Sequence, residues 1–173
     1  MRRIAAVLAA VVMAAGLVVG SAAASFADAG DGTSCVSGHW PADVQGKPGN
    51  LQPLGPTGLY VWHDDSGWSI AVTHSSKTHV TFTGRITTDG QLYGTERRTE
   101  SNDHVVFSES ANAVAFKFQN YGGIDGIHFK TKCANRLTFI ASLNGQTLKF
   151  SQVFIGSNAH HPGGVPFVVR RQS

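Results

Sequence analysis

From Gly58 onward, apolar and polar residues alternate with a period of two. In the segment 79–87, Val80, Phe82 and Ile86 share one face, while Thr81, Thr83, Arg85 and Thr87 share the other. Val114, Phe116 and Phe118 alternate with Ala115, Lys117 and Gln119. Ile127, Phe129 and Thr131 alternate with His128, Lys130 and Lys132, and Leu148, Phe150 and Phe154 with Lys149, Ser151 and Val153. This is the pattern of half-buried antiparallel strands with one core face and one wet face. Turn residues fall between the runs at Asp64-Asp65-Ser66-Gly67, Thr88-Asp89-Gly90, Ser101-Asn102 and Asn144-Gly145. Asn-Gly is the strongest short hairpin signal. Strands are predicted over 58–63, 68–74, 79–87, 91–100, 104–110, 113–120, 126–133, 137–143, 147–155 and 165–170. The fold class is therefore all-β. It is an antiparallel meander of about 8–10 strands, closed as an up-and-down barrel or folded as a two-sheet sandwich so that its edges are protected.

Two stretches lack that period. Residues 28–57 interleave glycines with Pro41, Pro48, Pro53 and Pro56, and form an extended Gly/Pro-rich N-terminal arm. Residues 1–27 open on Arg2 and Arg3, run apolar from Ile4 to Val19, and exit through small residues, which is the layout of a secretory signal peptide. Residues 58–173 then form a single β domain. With the signal removed there is no membrane association, and the expected location is secreted, extracellular. The Ala-rich leader and the Gly/Thr-heavy body fit a high-GC bacterial source.

Charge changes the picture little. The chain has 14 Lys+Arg against 11 Asp+Glu, and two of the basic residues belong to the signal. The remaining positive charges are scattered, so no basic stripe points to nucleic acid. The cysteines say more. Cys35 and Cys133, an even count in an exported chain, predict one disulfide across 98 residues.

Four sets of residues carry candidate chemistry. Asp65-Ser66-Gly67 resembles the serine motif of chymotrypsin-like proteases, but Asp64 and Trp68 stand where that family has glycine, and the stretch is better read as a hairpin turn. Glu96, Arg98 and His104 resemble the base, phosphate clamp and acid of microbial guanyl ribonucleases, without the helix that precedes the sheet in those enzymes. The eight histidines show no zinc spacing; His74 and His79 bracket a loop, and His160-His161 form a distant pair. Asn120 and Asp125, in the glycine-rich stretch 120–126, offer oxygens for calcium, the one cofactor considered.

The aromatic residues supply the leading functional expectation. Tyr60, Trp62 and Trp68 form a candidate ligand-binding platform, unless the arm folds over Tyr60 and Trp62 and buries them. Gly38-His39-Trp40 resembles the Gly-x-Trp that opens the lipocalins, secreted barrels that hold small apolar ligands. That resemblance implies that Arg170 packs on Trp40; Pro41 and the lack of a C-terminal helix depart from the family pattern. The sequence therefore predicts a secreted, non-catalytic domain that binds a glycan or a small apolar molecule. A structural or protein-interaction domain and a small ribonuclease-like hydrolase are the alternatives. Oligomeric state is not legible.

Overall fold

A computed structural model describes residues 35, 38–49, 51, 56–74, 78–99 and 104–173. The signal-peptide reading and the Ser101-Asn102 turn lie outside them. Eleven strands form in chain order: β1 (Gly58–Asp64), β2 (Gly67–Thr73), β3 (Val80–Thr88), β4 (Gln91–Thr99), β5 (His104–Ser110), β6 (Ala113–Asn120), β7 (Ile124–Lys132), β8 (Arg136–Leu143), β9 (Gln146–Thr147), β10 (Val153–Ile155) and β11 (Phe167–Arg170). Nine of the expected segments appear within two residues of their predicted bounds. The tenth, 147–155, divides into β9, a 3-10 turn at Phe150–Gln152, and β10. Phe150 consequently points to solvent, while Leu148 and Phe154 are buried.

Among the described residues the strands make two packed sheets and no closed barrel. One sheet has the order β10-β1-β2-β7-β4, the other β11-β8-β3-β6-β5 with β9 beside β8. Consecutive strands are neighbours only at β1–β2, β5–β6 and β8–β9, so the chain passes repeatedly between sheets and is not a simple meander. Two of the edge strands carry features that discourage further pairing. Edge strand β4 carries Glu96, Arg97, Arg98 and a bulge between Tyr93 and Glu96, and edge strand β5 carries His104 and Glu109. Charges and bulges on an edge discourage pairing with another chain.

Inner-face residues of both sheets interdigitate in one core that includes Trp68, Phe82, Ile86, Phe118, Phe129 and Phe139. Residues 38–49 belong to this body and are not a free arm. Trp40 and Val44 are buried in the main core, and Ala42–Val44 form a 3-10 turn. Bridges join His39 to Gln172 and Gln45 to His63. The expected Cys35–Cys133 disulfide is present and ties the segment to the end of β7.

Candidate functional site: the cleft at the β1–β2 turn

Tyr60 and Trp62 face away from the main core, on the outer side of β1, and they are not an open platform. They form a second apolar cluster with Leu51, Ala71 and Phe154. The Tyr60 ring stacks on Phe154 at 4.5 Å, and its hydroxyl donates to the Pro56 carbonyl at 2.9 Å. Burial pushes the Tyr60 phenol up to about 12. Leu51 of the arm and Phe154 of β10 thus cover this face, the alternative to an open platform that the sequence allowed. Trp68 lies on the inner face and is fully buried. None of the three aromatic candidates reaches solvent as a binding surface.

The calcium candidates bond to one another. Asn120 Nδ2 donates to Asp125 Oδ2 and to the Gly123 carbonyl, each at 3.1 Å, and both side chains are buried. They brace the β6–β7 turn. Among the described residues no three His, Cys, Asp or Glu side chains converge as a metal site. His74 is held between Thr57 at 2.9 Å and Thr78 at 3.1 Å, while His79 packs against Tyr121.

An open cleft of about 740 Å³ lies elsewhere, where the β1–β2 turn meets the β4 bulge and the middle of β7. Register builds it. β7 runs between β2 and β4, so His128 stands beside Ser69 on one side and Glu96 on the other. His128 is only 3% exposed although it alternates with the core residues Ile127 and Phe129. The Asp65-Ser66 turn folds over it. Asp64 Oδ1 accepts the Ser66 backbone N–H at 2.8 Å and also the Ser66 hydroxyl. Ser66 Oγ stands 3.2 Å from His128 Nε2. On the opposite edge of the ring, Nδ1 faces Glu96 Oε1 at 3.6 Å, and Arg98 Nε lies 3.8 Å from the same oxygen. Gly67 is needed here: its φ is +131°, and a Cβ would lie 2.7 Å from the Phe129 carbonyl and 3.1 Å from His128 Nε2.

Ser66, Glu96 and Arg98 stand out by residue type in the sequence, in two separate motifs. The imidazole that joins them is His128; His104 stands on β5 of the other sheet. Trp40 and Arg171 close the far wall. The guanidinium lies 4.8 Å over the Trp40 ring and donates to the carbonyls of Gly38 at 2.5 Å and Ala134 at 2.8 Å. An arginine does cover Trp40, as the lipocalin resemblance implied, but it is Arg171. Arg170, still in β11, points outward.

Electrostatics favour a neutral imidazole. Burial lowers the His128 pKa, and the Arg98 cation lowers it further; Glu96 and Asp64 oppose this without reversing it. Burial likewise lowers His63 and His74. For Asp64 burial acts upward, but the hydrogen bonds from the Ser66 hydroxyl and N–H outweigh it and hold the carboxyl below its ordinary value. Asp89 behaves in the same way: burial acts upward, and the backbone N–H groups of Asn135 and Arg136 outweigh it.

These shifts share one sign. Each group has a depressed folded pKa, so the unfolded chain binds protons first as pH falls, and stability present above the unfolded pKa is lost. The histidines act first, below about 6.5, and the two carboxyls below about 4. Thermal melts should give a Tm that is highest near neutral pH, drops between about pH 7 and 5, and drops further toward pH 3. A Tm that stays level from pH 7 to pH 4 would contradict this assignment. No protein-family model, curated protein or solved structure matches the chain, and the functional reading rests on the cleft itself.

Proposed function

We propose that the protein is a secreted, disulfide-stabilised β-sandwich domain that binds a glycan in the cleft between the β1–β2 turn and the β4 bulge. One observation carries this reading: the cleft walls mix Asp64, Glu96, Arg98 and Lys130 with one open aromatic ring, Tyr93, which is 45% exposed. Fixed acceptors and donors of both signs suit a hydroxyl-rich ligand, and an aromatic face suits the apolar side of a sugar ring. A small apolar ligand fits less well. The sandwich interior is filled by its own side chains, and covering charged walls with an apolar molecule strips them of water without replacing their hydrogen bonds. The disulfide supports export, because such bridges persist in oxidising compartments. Among the described residues no helix is long and apolar enough to cross a membrane.

Titration of the oxidised domain with soluble cell-wall and plant glycans, followed by intrinsic fluorescence, tests the reading, since Trp40 lines the cleft. Tyr93→Ala should weaken binding by roughly tenfold, the worth of one aromatic contact, and leave Tm within about 2 °C. Unchanged affinity in that variant would remove the cleft as the glycan site.

A further inference from the structure

A hairpin turn accounts for the contacts between Asp64 and Ser66, because the side chain at the first position of such a turn often caps the N–H two residues on. It does not account for a buried imidazole placed beneath an exposed serine, with one ring nitrogen facing the hydroxyl and the other a carboxylate. Nucleophilic catalysis by serine needs that arrangement: a reachable hydroxyl, a base in contact with it, and a third group that orients the base.

We propose that Ser66 is a nucleophile, His128 its general base and Glu96 the positioning residue, and that the cleft hydrolyses carboxylic esters, specifically O-acyl groups carried on a glycan. The carrier rests on the glycan-binding reading; the ester chemistry does not. Three features support the assignment. Glu96 favours the tautomer with a proton on Nδ1, which leaves Nε2 as an acceptor toward Ser66 Oγ at 3.2 Å. The Ser66 hydroxyl donates to Asp64 at rest and turns to His128 Nε2 for the attack; Asp64, held anionic by that bond and by the Ser66 N–H, is the weaker base of the two. Lys130 and Arg98 line the same cleft, so cations are present in it to balance the charge of an oxyanion.

The steps balance with water as the only co-reactant. Ser66 Oγ bonds to the ester carbonyl carbon while its proton passes to His128 Nε2. The carbon–oxygen bond to the sugar then breaks, and the sugar oxygen leaves with that proton, giving an acyl-serine. Water attacks the acyl carbon and gives one proton to His128, which returns it to Ser66 Oγ as the carboxylic acid departs.

The experiment uses the oxidised protein with 4-nitrophenyl acetate as a glycan-free ester and a fluorophosphonate as a covalent probe. Wild type should turn over the ester and take up one probe on Ser66. Ser66→Ala, at an exposed turn, and His128→Gln should fall to the uncatalysed background, with melting curves showing that each variant is folded. Glu96→Gln should lower kcat by roughly 10–100-fold and move the acid limb of the pH–rate profile to lower pH, because removing that carboxylate removes a charge that raises the His128 pKa. No turnover and no labelling in wild type, or full activity in Ser66→Ala, would overturn the proposal. Glycan titration of Ser66→Ala keeps the two readings separate. Binding without any esterase activity retains the first and sinks the second; esterase activity without glycan binding does the reverse.

Discussion

Replacing Trp68 with alanine should cost about 3–5 kcal/mol, the range for deleting a buried aromatic side chain, and lower Tm by roughly 10–20 °C. That is a large share of the 5–15 kcal/mol that holds a typical domain together. The size follows from position. Trp68 is fully buried on the inner face of β2, opposite Phe129 in the ladder. Its ring meets Trp40 edge-on at 5.0 Å, His63 at 5.1 Å and Phe139 of the facing sheet at 5.8 Å. One side chain therefore joins the N-terminal segment, the β1–β2 hairpin and both sheets, and no neighbour can collapse into the gap without moving another. Trp68→Phe should be far milder, near 1.5 kcal/mol, because the indole Nε1 has no hydrogen-bond partner among the described residues and its loss orphans nothing. Urea unfolding midpoints of the two variants check the prediction. An alanine variant within about 1 kcal/mol of wild type would mean that Trp68 is not the centre of the core.

Cutting the Cys35–Cys133 bridge should have the second largest effect. It spans a sequence separation of 98 residues, and in the chain-entropy model a loop near that length contributes about 4.7 kcal/mol by restricting the unfolded chain. The paired substitution Cys35→Ala with Cys133→Ala should lower the unfolding free energy by about 3–5 kcal/mol, and reductant should do the same to wild type while leaving the variant unmoved. Cys35 is exposed, so little packing is lost in the exchange. A wild-type urea midpoint indifferent to reductant would show that the bridge contributes nothing to stability.

The strands were legible because each needs only local information: a period of two and a turn at each end. What failed needed knowledge of partners across the fold. Val153, Phe154 and Ile155 are buried on both faces because β10 lies parallel beside β1, a pairing of distant segments that alternation cannot register. Trp40 and Val44 looked like loop residues among glycines and prolines, since an irregular segment can fill a core without any period. The cleft was half visible. Ser66, Glu96 and Arg98 stood out by residue type, but His128 lay on what the alternation assigned to the wet face. That face is covered by the Asp65-Ser66 turn, and the position of β7 between β2 and β4 brings the ring to both groups. A polar residue flanked by Ile127 and Phe129 in a strand with glycine at 126 was the available clue, and it is a weak one.

The clasp of Arg171 on Trp40 bears on how the chain assembles in time. Arg171 bonds to the Gly38 carbonyl across 133 residues, and His39 bridges to Gln172. At 5–20 residues per second, a ribosome takes roughly 7–27 s to add that many residues, far longer than a hairpin needs to form. Through all of that interval Trp40 has been synthesised and the arginine that caps its ring has not. The Arg171 clasp and the His39–Gln172 bridge can form only after β11 has emerged. The N-terminal segment is thus fastened late, when the rest of the sandwich that it joins is already present.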